Sequence, residues 1–591
     1  PKDLPEPETL EVFPKKIVLN GEGKTHRIIV RARYPDGHYR DVTEVSYFLS
    51  SNQQKVKVSP NGVVSSKQGG ESFILIRMAT LTAGIPVIVI PNNRPEVGKL
   101  SSNNYVDDYI NSKLTNLKVK PSKLSDDKNF IRRVTLDISG RLPTDKEFTD
   151  FLKNENPKKR SQLIDRLLEE PGFIDLWALK WAELLQIRSV NNQFSYKSAL
   201  LYNDWLKKQL KAGETIDNIV NKILTSKGST FKAPATNYFQ IERDTLKRAE
   251  NVAQVFMGTR IQCAQCHNHP FDTWTQDDYY GFAAFFSRIG MKRGEDPREY
   301  LIYDKTGGEV KHPVKKVNMK PKFLGGEVSA EATGSKRRLA LANWLTSTDN
   351  PYFARNLANM IWAQYMGRGI VDPVDDQRLS NPASHPELLD QLSSKLVDYK
   401  FDFKNLVRDI CNSKAYQRGD KEVHNKGNDR LFAYRKPKRI KAEVLLDSIA
   451  QVTEVDSKFK GLPLGEKAVN IADGNSSTYF LSTFGRAKRE SVCSCEVKSE
   501  PNLSQALHLL NGENTHGKVK SSKVIQELMN EKKNFAQILE LLFVKTISRY
   551  PNETEKKHIE SLIKEDRKNE KEILTNVFWA LLNSKEFIFA L

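Results

Sequence analysis

"PNNRPEVGKLSSNN", Pro91 to Asn104, is where the hydrophobic pattern of this chain changes period. Its proline, glycine, serine and asparagine content favours turns over regular structure, so the stretch reads as a linker. Upstream, His26-Arg-Ile-Ile-Val-Arg-Ala-Arg-Tyr34 alternates, with Ile28, Val30, Ala32 and Tyr34 on one face and mostly arginines on the other. That is the period of a half-buried strand, and Pro35-Asp-Gly37 supplies a turn after it. Further strand-like runs span Phe73 to Met78 and Ile85 to Ile90. Several short strands in under a hundred residues predict a β-sandwich.

Downstream the period is about 3.6. Trp177, Trp181, Leu184 and Leu185 recur at helical spacing, as do Leu246, Ala249, Ala253 and Phe256. Helical stripes continue at Leu339 to Trp344, Leu388 to Val397, Ala442 to Val452, Leu503 to Leu510 and Ile573 to Leu582. The stretch from Lys292 to Glu327 reads as a long irregular excursion, of the kind often tied to function. At 591 residues the chain exceeds a single core. The expected architecture is multidomain: an all-β sandwich over residues 1–95, then two mainly α-helical domains packed together, 96–310 and 311–591.

Composition bounds the function. No run approaches the roughly eighteen apolar residues of a membrane span. Lysine and arginine number 92 against 73 acidic residues, a formal charge of +19. Such a field favours acidic partners, here an anionic polysaccharide or an acidic redox protein, and also acts as a solubility term. The basic run Lys436-Pro-Lys-Arg-Ile-Lys441 flows into a helical pattern and reads as a solvated helix start, so no specific nucleic acid is expected. The chain starts at Pro1, which fits the mature form of an exported precursor.

Five cysteines are few, and four fall in two tight pairs. "RIQCAQCHNHPFDTWTQDDYYGFAAFF", Arg260 to Phe286, contains C-x-x-C-H, which arises by chance in about one such sequence in a thousand. Cys263 and Cys266 could add to the two vinyl groups of haem, with His267 as proximal ligand. His312, Met291, Met319 and Cys493 are candidates for the sixth position. The same residues could instead hold bare zinc or iron, with His267, His269 and Asp272 nearby and Cys493 with Cys495 completing four sulfurs. That reading requires Cys493 to approach Cys263 or Cys266. Redox dithiol chemistry or simple disulfides in an oxidising compartment are the third option, although C-x-C is too short to close an unstrained ring easily at Cys493/Cys495. Asp277 and Asp278 read as caps of the helix that follows. In "FGRAKRESVCSCE", Arg486 and Arg489 would lower the thiol pKa or neutralise haem propionates.

These segments carry resemblances. "RARYPDGHYRDVTEVSYFLSSN" with "VSPNGVVSSKQGGESFILI" resembles bacterial immunoglobulin-like domains, which are usually extracellular spacer modules. "FIRRVTLDISGRLPTDKEF", "WALKWAELL" and the C-x-x-C-H stretch resemble the planctomycete cytochrome-associated domain of unknown function. "RRLALANWLTSTDNPYFARNLANMIWAQYMGRGIVDPVDDQRL" and "LSQALHLLNG" resemble the domain that habitually follows it. The resemblance implies an exported, surface or periplasmic protein, of a family often joined to cytochrome c domains. The expectation that results is an exported haem-c-binding redox protein. A haem-free Cys/His metal protein and a non-catalytic binder of anionic polysaccharide are the alternatives.

Overall fold

The computed structural model describes residues 6–92, 95–191, 193–332, 334–421, 429–493, 496, 501–565 and 569–590. The alternating N-terminal sequence forms three small sheets. Thr9–Phe13 pairs antiparallel with Ile29–Arg33, which pairs with Tyr39–Asp41. The long hairpin Gly70–Met78 and Leu81–Ile90 takes Tyr47–Ser50 on one edge and Ile17–Asn20, in parallel, on the other. Val63–Ser66 lies between Thr25–Arg27 and Val56–Val58. Ile28, Val30 and Ala32 are fully buried with Val12, Ile17, Val64, Ile74, Ile76 and Val87, the inner face that period two requires. Lys113 joins this domain to the helices through Glu71, at 2.7 Å.

Beyond the linker, helices start where side chains satisfy free N–H groups. Asn104 caps Tyr105–Asn116 and Asp126 caps Asp127–Ser139. Thr144 and Glu147 form a reciprocal capping box on Asp145–Lys153. Helices occupy all five stripes read from the sequence, as Arg337–Leu345, Pro386–Asp398, Ala442–Thr453, Leu503–Asn511 and Glu570–Leu582. The expected excursion from Lys292 instead begins inside a hairpin, Ile289–Arg293 with Tyr300–Asp304.

The buried helical side chains gather into two clusters. One cluster gathers side chains mainly from Val106 to Ala433, including Trp177, Trp181, Phe256 and Trp362, together with Val492 and Val544. The second gathers mainly Ile440 to Ala590, together with Leu136, Leu142, Leu176 and Leu179 from the first helices. Helices such as Arg337–Leu345 and Phe353–Met366 thus pack into the first core, because their apolar faces match those of the preceding helices.

Neighbouring arginines on Asp127–Ser139 stitch the two cores together. Arg132 donates to the carbonyls of Thr546 (2.8 Å) and Phe587 (3.0 Å) in the second core. Arg133 donates to Tyr416 and Arg418, both at 2.9 Å, on the other side. Both guanidinium groups are buried, and burial pushes each pKa down to about 10.

Candidate functional site

Helix Thr245–Met257 ends at Gly258, whose positive φ of 66° turns the chain where a side chain would strike Asn356. The chain then enters a single 3-10 turn, Gln262–Gln265. Ile261 and Ala264 are fully buried and anchor this turn, which leaves Cys263 and Cys266 on its outer side, free and exposed. Gln265 offers its carbonyl to Tyr280 Oη (3.0 Å) and to Gln276 Nε2 (3.1 Å). The loop after the cysteines is thereby closed onto helix Gln276–Ala283. Burial and the Cys266 thiol together raise the pKa of Tyr280.

His267 is exposed, and its Nδ1 lies 2.8 Å from the carbonyl of Asn268. That bond favours the tautomer with hydrogen on Nδ1 and a lone pair on Nε2, the arrangement of a histidine ready to ligate. His269 behaves differently. It is buried, its Nδ1 accepts from the Phe271 N–H (3.2 Å), and burial with Arg378 nearby lowers its pKa. Asp272 is also buried, and burial raises its pKa against the N–H groups of Thr273 and Leu379 and the Trp274 side chain. Both residues shape the loop from within. Thr275 is the N-cap of the following helix; Asp278 returns its bond at 2.9 Å, and Asp277 sits in the first turn.

The second sequence constellation meets the first at Arg260. Arg260, three residues before Cys263, bonds Asp375 Oδ2 at 2.9 Å and reaches Cys493 Sγ at 3.6 Å. Cys493 is in a disulfide, so it offers no thiolate to a metal or to haem. Cys495 lies outside the described residues. Among the described residues no three His, Cys, Asp or Glu side chains converge with ligand geometry.

Three of the expected residues make other contacts. Arg486 is buried; it bonds Glu443 (3.1 Å) and the carbonyls of Ile471 and Asp473. Arg489 is 1% exposed and donates to the carbonyls of Ile187 (2.9 Å) and Ala472 (2.5 Å). Both guanidinium groups are buried among carbonyls, with Arg486 also paired to the Glu443 carboxylate. His312 is 2% exposed; its Nδ1 accepts from Val314 and Lys315, and its Nε2 is 3.4 Å from Asp277. Both its nitrogens are engaged away from a sixth position. Met291 and Met319 are half-buried and pack against the first core.

Sequence reasoning missed Asp375, which receives both Arg260 and Gln254 and so fixes the turn. The only signal was the acidic pair Asp375-Asp376 with no helix to cap.

Residues 105–291 match the family model PSCyt2, a protein of unknown function (DUF1549), and residues 337–563 match PSD1, a protein of unknown function (DUF1553). No curated protein matches the chain.

Proposed function

Because this chain belongs to the planctomycete cytochrome-associated family built from PSCyt2 and PSD1 domains of unknown function, we propose that it is an exported redox protein carrying one covalently attached haem at Cys263, Cys266 and His267. The observation that supports this is local. Two uncrosslinked thiols share one outward-facing turn, and the adjoining imidazole is held through Nδ1 with Nε2 free. These residues fit the group: two thioether positions and one axial nitrogen in the order C-x-x-C-H demands. Haem bound there would supply one-electron chemistry.

The chain's own residues supply position and field. Tyr280 and Gln276 hold the turn through Gln265, and Asn268 orients His267. The surplus of lysine and arginine favours docking of an acidic redox partner or an anionic polysaccharide. Among the described residues no helix is long and apolar enough to cross a membrane, so contact with a membrane would be through other means.

The test is production alongside a c-type maturation system, followed by intact mass and a pyridine haemochrome spectrum. The expected result is one thioether-linked haem per chain, lost in Cys263→Ser/Cys266→Ser. A colourless wild-type protein of unchanged mass overturns the proposal. His267→Ala should keep the thioether link while altering the Soret band, which separates attachment from ligation.

A further inference from the structure

A cavity of about 580 Å³ lies at the seam between the two helical cores. Its walls come from the end of helix Pro171–Leu184, from the turn after helix Phe353–Met366, from residues 434–443 and from the loop 484–487. The run Lys436 to Lys441, expected to be a solvated helix start, forms one wall, since Lys438–Arg439 pairs as a strand with Phe589–Ala590. The volume falls in the range of about 300–1,000 Å³ typical of small-molecule sites, which prefer domain interfaces.

Eight lysines and arginines line this space against three carboxylates. All three carboxylates are paired: Glu183 with Lys441 (2.5 Å), Glu443 with Arg486 (3.1 Å) and Asp429 with Arg368 (2.9 Å). The surplus is positive. Lys180 makes no hydrogen bond or ion pair among the described residues, although burial lowers its pKa. Lys438 donates to the Gln364 carbonyl at 2.7 Å and has only a distant carboxylate, Asp137 at 3.8 Å. Arg435, in the wall itself, is 1% exposed; one nitrogen is 3.4 Å from Asp137, while its Nε and Nη1 are buried with no partner. Its Nη1 would stand 3.9 Å from a side chain on Gly367, so little stands between guanidinium and cavity.

Lys438 and Arg435 share the one carboxylate of Asp137, and an uncompensated positive surplus in a largely buried wall is costly, so a wall that keeps it is organised for a charge from outside. We propose that this cavity binds a small organic oxyanion carrying at least two negative charges, held by Lys180 and Lys438 with Arg435 adding its field. An organic body is required because the space far exceeds one inorganic oxyanion. Phe432, Phe484 and Phe589 offer it apolar faces. The site is separate from the C-x-x-C-H turn, and the proposal stands or falls without haem.

The experiment is calorimetric titration of the full chain with citrate, glucose 6-phosphate, inorganic phosphate and glucose. One saturable site for citrate or glucose 6-phosphate is expected, with no heat from glucose. K180Q should weaken binding at least tenfold and K180R should restore most of it. K57Q, on the distant β-domain, should bind as wild type. Because Lys180 lies between the cores, K436Q at the exposed rim repeats the test without burdening the fold, and about threefold weaker binding is expected there. The proposal is overturned if neither organic anion binds, or if K57Q loses as much affinity as K180Q. Glucose or inorganic phosphate binding as tightly as glucose 6-phosphate overturns it as well.

Discussion

Lys438 should make the stability of this protein rise with pH in a way that one substitution removes. Burial is the first cause of its lowered pKa, and Arg435, Lys441 and Lys180 add to it, while Asp137 opposes it. The result is a lysine pushed from 10.5 down to about 8. At about 1.36 kcal/mol for each pH unit, that gap is on the order of 3 kcal/mol at most, since the side chain keeps 28% of its exposure to screening water. Between pH 8 and 10.5 the unfolded chain binds this proton and the folded chain does not, so stability increases with pH across that window. Below pH 8 the folded state bears the whole cost of the charged ammonium.

Lys438→Met removes the titration. It also removes the bond to the Gln364 carbonyl, but that loss is present at both ends of the window. The difference in stability between variant and wild type should therefore move by on the order of 3 kcal/mol in favour of wild type between pH 7 and 10.5. For the second core, of roughly 150 residues, this is about 6–12 °C in the relative Tm of the transition that reports it. Thermal unfolding of both proteins at half-unit pH steps, in buffer free of multivalent anions, measures it. A Tm offset constant to within about 2 °C across the window would refute the argument. Saturating citrate should shift the wild-type midpoint upward, since an anion in the cavity favours the charged ammonium.

Two further substitutions test the packing that positions both sites. Asp107 is fully buried and accepts from the N–H groups of Asn103 (2.8 Å), Lys414 (3.0 Å) and Ala415 (2.9 Å), so Asp107→Ala should cost on the order of 3 kcal/mol or more. Urea unfolding reads this as a lower midpoint, and an unchanged midpoint would show that water replaces the carboxylate. Gly172 lies where a Cβ would meet the Ser139 carbonyl of the neighbouring helix, so Gly172→Ala should cost about 1–3 kcal/mol, seen as a lower Tm. An equal Tm would mean that the two helices can separate without loss.

Local periodicity made most elements legible. Alternation at Ile28, Val30 and Ala32 marked an inner sheet face, and the stripe Trp177, Trp181 and Leu185 marked a helix in the core. The C-x-x-C-H turn was legible because its residues are adjacent in sequence. What stayed hidden depends on partners far along the chain. Lys438–Arg439 looked like a solvated helix start, yet its strand partner is Phe589–Ala590, some 150 residues later. His312 looked like a free ligand, although Val314, Lys315 and Asp277 occupy its ring nitrogens. Which helices share a core was hidden for a related reason: it depends on which apolar faces meet, not on the composition of the segments between them.

The arginines of "FGRAKRESVCSCE" show how charge in sequence can mislead about chemistry while pointing to the right place. Arg486 and Arg489 are spent on carbonyls from Ile187, Ile471, Ala472 and Asp473, which pin the segment 484–493 against the end of helix Pro171–Leu184. Gln186 reinforces this by donating to the Glu490 carbonyl at 2.9 Å, and Arg188 pairs with the Glu490 side chain at 2.8 Å. One end of the pinned segment, Phe484 to Ala487, lines the basic cavity; the other brings Cys493 to Arg260 beside the dithiol turn. The arginines therefore act as clamps that set the distance between two chemically distinct places. A buried guanidinium suits that work better than lysine, because several donors in a fixed plane can hold carbonyls from different segments at once. Removing either clamp should thus disturb the cavity and the dithiol turn together, although neither arginine touches a thiol.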